Sequence, residues 1–203
     1  EEIKPDPPKK YKVSLNIKGL GSGKKIILKE TNTMLSETVT GDGSDKSVNF
    51  TVNEDKGYHV VFSYLPSSTE CSAVNAGDLL KEKISSDISF DINCSLKKLD
   101  LNIKIIGLDA DSGTITVLDK GYEPIILKSD GGVLTTTLKL DYGSDYELSF
   151  DTAGLKDNEI SCATHQDHQK ESNLITNKTV IVYCSKRLAG EGVSLNEKVG
   201  FSW

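Results

Sequence analysis

Gly57-Tyr58-His59-Val60-Val61-Phe62, then Cys71, then Ile88-Ser89-Phe90-Asp91-Ile92-Asn93-Cys94 is the succession that decides the fold. Tyr58, Val60 and Phe62 recur every second residue, as do Ile88, Phe90, Ile92 and Cys94. A period of two marks strands with one buried face. The same succession returns as Tyr146-Glu147-Leu148-Ser149-Phe150, Cys162, then Val180, Val182 and Cys184. The chain therefore reads as one small β unit written twice, and a length of 203 residues suits two domains.

Working back from that stretch, Tyr11, Val13, Leu15 and Ile17 alternate with Lys12, Ser14, Asn16 and Lys18, which predicts an opening strand. Gly19-Leu20-Gly21-Ser22-Gly23 is a turn, Ile26-Ile27-Leu28 a short strand with no face assigned, and Leu35 to Thr40 another strand. Val48, Phe50 and Val52 alternate again. The strand Tyr58, Val60, Phe62, Tyr64 stops at Pro66, which has no N–H to offer a ladder. Residues 76–85 are the one place where a helical turn is expected. In the second copy Leu101-Asn102-Ile103-Lys104 reproduces Leu15-Asn16-Ile17-Lys18 letter for letter, and Gly107-Leu108 answers Gly19-Leu20. Ile115 with Val117, Ile125 with Leu127, and Leu138 with Leu140 supply the middle strands. The expected organisation is a Pro-rich tether over 1–10 (Pro5, Pro7, Pro8), a first repeat over 11–96, a second over 97–187, and an extension over 188–203. That extension is either an added edge strand or the start of a further module.

The four cysteines fall two to a copy, separated by 23 and 22 residues. Four cysteines allow three connectivities, and the duplication selects Cys71–Cys94 and Cys162–Cys184. Each closure contributes about 3 kcal/mol on the chain-entropy account and implies an oxidising compartment. The alternative is four reduced, buried thiols; zinc fits poorly because no Cys-x-x-Cys spacing occurs. Cys94 shares parity with Ile88, Phe90 and Ile92, so it points inward.

Composition narrows the function classes. Hydrophobic residues make up 36% and the net charge is −6, with Arg187 the sole arginine. Nucleic acid and anionic membranes demand clustered Lys and Arg, so neither is an expected partner. No apolar run reaches the length of a transmembrane helix. Glu1-Glu2 opens the sequence in place of a signal segment, which says nothing against export.

With these residues in view, the repeat resembles a family of tandem modules of bacterial exported and cell-surface proteins. Their pattern is an opening strand, Gly-Leu-x-Gly, a short apolar strand, a Phe-containing strand, Gly-x-Tyr-x-Val, Pro, Cys and a final Cys. Here it is carried by Gly19-Leu20 with Gly21 or Gly23, Ile26-Ile27-Leu28, Phe50, Gly57-Tyr58 with Val60, Pro66, Cys71 and Cys94. The second copy lacks the proline, places Gly143 three residues before Tyr146 and has a longer loop after Gly107-Leu108. The resemblance implies two tandem immunoglobulin-like (prealbumin-like) antiparallel β-sandwiches, and no functional residues travel with it.

Candidate chemistry is sparse. Asp109-Ala110-Asp111-Ser112-Gly113 looks like part of a calcium loop, but calcium takes six to eight oxygens and no distal Glu follows. A turn explains the run as well, and also Gly41 to Asp45. His165 and His168 form the one close histidine pair and are expected in a solvated loop. No nucleophile stands beside a base in any recognisable pattern, so no catalytic residue, cofactor site or metal site is assigned. A Lys–Asn isopeptide between Lys12 or Lys18 and Asn93 is disfavoured, since Asn93 neighbours Cys94 and faces the other way. Tyr64, Tyr122 and Trp203 are the aromatics left over from the core.

The expected function is that of a non-catalytic, exported tandem sandwich acting as a spacer or binding module of a bacterial envelope. It would be periplasmic, outer-membrane-anchored or extracellular, with a lipid anchor upstream of Glu1 as one means of attachment. Its partner would be another protein or a cell-surface glycan. The alternatives are a carbohydrate- or substrate-binding accessory module of a secreted enzyme, favoured if the spare aromatics cluster, and a calcium-dependent adhesin. Intact mass after alkylation checks the cysteine reading: no alkyl group adds without reductant, and four add with it.

Overall fold

Val13, Leu15 and Ile17 have no exposed surface, so β1 (Lys10–Lys18) turns one complete face inward. Further strands complete this unit, most of them with the same alternation. They are β2 (Lys25–Glu30), β3 (Leu35–Thr40), β4 (Lys46–Asn53), β5 (Tyr58–Tyr64), β6 (Thr69–Ala73), β7 (Leu80–Lys81) and β8 (Ile88–Leu96). Two four-stranded sheets result, β4-β1-β8-β6 and β3-β2-β5-β7. Val13, Leu15, Ile17, Phe50 and Ile92 from the first meet Ile26, Leu28, Tyr58 and Val60 from the second in one core. The structure is a computed structural model and describes residues 7–54, 56–164 and 166–186.

A second unit begins at Lys98. It comprises β9 (Lys98–Ile106), β10 (Ala110–Asp119), β11 (Ile125–Asp130), β12 (Leu134–Asp141), β13 (Tyr146–Asp151), β14 (Ile160–Thr164), β15 (Lys170–Glu171) and β16 (Lys178–Lys186). Its sheets, β12-β9-β16-β14 and β11-β10-β13-β15, repeat the first unit's order strand for strand. The protein is all-β, two sandwich-like units with a disulfide in each. The proposed tail strand over 188–203 lies outside the described residues, as does most of the proline-rich tether.

Two details depart from the sequence expectation. The sheets are not wholly antiparallel: β1 pairs β8 in parallel, from Val13↔Ile88 to Lys18↔Asn93, and β9 pairs β16 likewise, from Leu101↔Lys178 to Ile106↔Tyr183. First and last strands of a unit become neighbours, so their direction is set by the whole path between them and not by a hairpin turn. Secondly, the register of β2 against β5 slips: Leu28 pairs Phe62 while Ile27 pairs Tyr64. Ser63 is the extra residue of a bulge, and Tyr64 leaves the inward face half-exposed. The helical turn expected within 76–85 is present as a 3₁₀ turn, Ala76–Leu79, with β7 directly after it.

The disulfides lie within one sheet. Cys71 and Cys94 are direct register partners of β6 and β8, with Cα atoms 4.1 Å apart, and Cys162 and Cys184 are partners of β14 and β16 at 4.0 Å. The bridged strands also account for the Gly-Leu pair. Gly19 and Gly107 adopt φ of +71° and +93°, and a Cβ on either would sit 2.4 Å and 2.2 Å from the carbonyl oxygens of Cys94 and Cys184. The chain can leave β1 or β9 past the bridged strand only where no side chain exists, and the next residues, Leu20 and Leu108, drop into the core. Gly19→Ala should therefore cost about 2–3 kcal/mol in urea denaturation, conformation and collision adding together. Gly23→Ala is the control, since Gly23 has φ +74° but open space around it, and should cost only about 1 kcal/mol.

Candidate functional site

Position by position, the sequence-derived candidates separate. Asp109 and Asp111 are exposed. Asp109 precedes and Asp111 lies within a bulge of β10 between Ala110 and Thr114, where Asp111 has φ +65° and the Ser112 N–H donates to the Asp109 carbonyl at 3.1 Å. Asp42 behaves alike in the other candidate run: its carboxylate accepts from the Ser44 N–H and hydroxyl and pairs with Lys46. Among the described residues no group of three or more His, Cys, Asp or Glu is arranged to hold a metal ion. His165 lies outside the described residues. His168 sits in a one-turn helix, Gln166–Gln169, where the sequence suggested a loop.

Lys18 and Asn93 are register partners, but on the outer face. Asn93 is exposed, and the Lys18 ammonium is spoken for by Asp91 at 2.6 Å. That hydrogen-bonded pair holds the lysine above its ordinary pKa and the aspartate below. Lys12 is exposed too, and its backbone N–H donates to Asp87. The buried acid that isopeptide chemistry demands is not among these groups.

Of the spare aromatics, Tyr64 ends β5 in the first unit and Tyr122 follows β10 in the second, both exposed. Trp203 lies outside the described residues.

What the structure does bring together is a pair of anchors, present in both units. The Tyr58 hydroxyl donates to the carbonyl of Asp78 at 2.7 Å, and the Tyr146 hydroxyl to that of His168 at 3.2 Å. Each pins the helical turn that lies between the cysteines of its unit. Gly57 clears the way in the first unit, since a Cβ there would meet the Lys81 carbonyl at 1.7 Å. In the second, Asp145 stands before the tyrosine and accepts the Asn173 N–H at 2.8 Å.

The second anchor is a buried carboxylate. Glu30 has no exposed surface. One oxygen accepts the N–H groups of Asn32 and His59, both at 3.1 Å; the other accepts the N–H and hydroxyl of Thr33, at 2.6 and 2.5 Å. Burial by itself would raise its pKa, but the four donors outweigh it and hold the carboxyl below its ordinary value. Asp119 ends β10 as Glu30 ends β2. Its Oδ1 accepts the N–H groups of Lys120 and Glu147 at 2.9 Å, while its buried Oδ2 has no hydrogen-bond partner among the described residues. The sequence carried a signal for Asp119, a charged residue on the parity of Ile115 and Val117; for Glu30 it carried none, since Ile26-Ile27-Leu28 shows no face.

The outer faces of the sheets that contain β1 and β9 differ between the units. Across β6, β8 and β1 runs the row Ser72, Asn93, Lys18; across β14, β16 and β9 the corresponding row is Ala163, Tyr183, Ile106. Asp91 is likewise answered by Ile181. The first face is a polar network, with Asn16 donating to Ser89 and Asp91. On the second, Tyr183 is 61% exposed and Ile181 36%. Apolar residues on outward parity in Val180-Ile181-Val182-Tyr183 were the overlooked sign.

Replacing Glu30 by Gln should cost about 2 kcal/mol at neutral pH, because donors aimed at a carboxylate would face an amide NH2. Asp119→Asn, with fewer donors to disappoint, should cost less. Since the folded Glu30 pKa lies below the unfolded one, its contribution is complete above the ordinary Glu value of about 4.3 and is lost as pH falls through the folded value. The gap between wild type and Glu30→Gln in urea midpoints should accordingly close in acid.

No known family matches the chain by sequence, and no curated protein matches it. Among solved structures it is similar to the Bacillus anthracis TIE protein, at 17% identity and a TM-score of 0.45, over 85% of this chain and 34% of that one. The chain thus spans about a third of that protein's length. It is also similar to a C-terminal fragment of the pilus adhesin SpaC from Lactobacillus rhamnosus GG, at 10% identity and a TM-score of 0.37, over 91% of this chain and all of that one. A third likeness is to the major pilin protein T3.2 from Streptococcus pyogenes, at 10% identity and a TM-score of 0.31, over 87% and 98% of the two chains.

Proposed function

We propose that this chain is a non-catalytic spacer of an exported, surface-attached bacterial protein, built from two disulfide-bonded repeats. One observation carries the reading. Because β1 and β8 run parallel, the chain enters the first unit at Lys10 and leaves it at Leu96, at opposite ends of one sheet. With Lys18 opposite Asn93, that is about eleven residue steps, or roughly 35 Å. The register of β9 with β16 gives the second unit the same property between Lys98 and Lys186. A unit that returned its chain to the starting end would add little reach; these add their full length. The disulfides support export, since such bonds persist in oxidising compartments. Attachment through a lipid anchor and location in the periplasm, on the outer membrane or outside the cell belong to this same reading, as does the absence of a catalytic role.

Contact with another protein is the second reading, favoured by the Ala163, Tyr183, Ile106 row with Ile181 beside it. These side chains suit a protein more than a glycan, since aliphatic groups offer sugar hydroxyls no partner. Calcium dependence has no observation behind it.

The spacer reading is tested on a cell surface. The chain is anchored by its N-terminal end with an epitope at its C-terminal end, and the same epitope is placed directly on the anchor. Antibody-coated beads should capture cells of the first kind and miss those of the second. Equal capture would overturn the reading.

A further inference from the structure

We propose that each unit is a tension-bearing element with a covalent stop: its first and last strands form a shear clamp, and its disulfide limits how far the unit extends once the clamp opens. The inference goes beyond the spacer reading and stands on strand geometry alone.

Force applied through the chain reaches the first unit at the start of β1 and the end of β8. Since the strands are parallel neighbours, the pull draws β1 backward along its axis and β8 forward along its own. The bonds spanning Val13↔Ile88 to Lys18↔Asn93 lie across that direction and are evenly spaced. They share the load and yield together. Strands pulled apart from a common end would break one bond at a time. Side chains reinforce the same seam: Lys18 bonds Asp91, and Asn16 reaches both Asp91 and Ser89. In the second unit, β9 and β16 repeat the geometry from Leu101↔Lys178 to Ile106↔Tyr183.

Once the clamp has failed, the cysteine positions set how much chain is released. Cys94 is in β8 two residues before its end, and Cys71 is its register partner. Force arriving at Leu96 crosses from Cys94 through the sulfurs to Cys71, so the chain between the two carries no tension. The released length is then the stretch from β1 to Cys71. The 23-residue loop stays closed, roughly 80 Å of extended chain withheld. Cys162 and Cys184 withhold a loop of 22 residues in the same manner, with Cys184 two residues from the end of β16.

Single-molecule stretching of the full chain between handle proteins tests both halves of the proposal. Without reductant, two unfolding steps should appear, each lengthening the chain by roughly 190 Å. With a dithiol reductant present, each step should be succeeded by a further one of roughly 80 Å, as the bridge opens under load. Lengthening that is the same with and without reductant would overturn the stop. For the clamp, one handle moves to position 53 through Asn53→Cys. Asn53 is the register partner of Lys10 on antiparallel β4, at the same end of the sheet. The first unit should then peel at a force several-fold lower than when pulled between its ends; equal force in the two geometries would overturn the clamp. Neither result depends on where the protein resides, so the spacer reading can fail in the bead experiment while this one holds.

Discussion

Each unit closes by laying its last strand against its first, in the middle of a sheet. That single pairing joins residues more than seventy positions apart, and the rest of the unit depends on it. It buries Val13, Leu15 and Ile17 against Phe90 and Ile92, and forces the chain leaving β1 to slip past the Cys94 carbonyl at a glycine. Remove it and the sheet that contains β1 falls into two unconnected pairs, β4 with β1 and β8 with β6. The disulfide secures one side of this junction by linking strands that are already neighbours, and its buried half, Cys94, belongs to the core.

Alternation reveals which face a residue takes but is silent on which strand lies next to it. That is why Tyr11 to Ile17 and Ile88 to Cys94 were legible as half-buried strands while their parallel adjacency was not. The register slip at Ser63 was hidden for a related reason: nothing in Tyr58, Val60, Phe62, Tyr64 shows where a neighbouring strand gains a residue. The Gly-Leu motif was visible as a motif, but its cause is a carbonyl seventy-five residues away in sequence that stands 2.4 Å from where a Cβ on Gly19 would be. Glu30 was hidden because Ile26-Ile27-Leu28 is apolar at consecutive positions and shows no inward face, and because carboxylates on strands are ordinarily solvated.

The two units share topology and anchors yet use their outer faces differently. Unit one covers the seam of β1 and β8 with hydrogen-bonded polar groups, Lys18 and Asp91 at their centre. Unit two leaves Tyr183 and Ile181 facing outward at the same places. Inner positions are held to a narrow choice by packing density, whereas outward ones are free to diverge. Differences confined to outward parity are therefore where the two copies would acquire separate duties. The carboxylate anchors show an intermediate case: Glu30 satisfies four donors with a longer side chain, while Asp119 satisfies two and leaves one oxygen unmet.

The parallel seam also bears on how the molecule comes into being. A polypeptide made from its N-terminal end presents β1 early, yet the strand destined to lie beside it is the last of the unit to arrive. Until Leu96 has been added, the first sheet lacks one of its two central members. Oxidation of Cys71 and Cys94 is subject to the same delay, because the later thiol sits almost at the trailing edge. Sequence-distant closure of this kind slows folding, so maturation of each repeat is timed by delivery of its final strand.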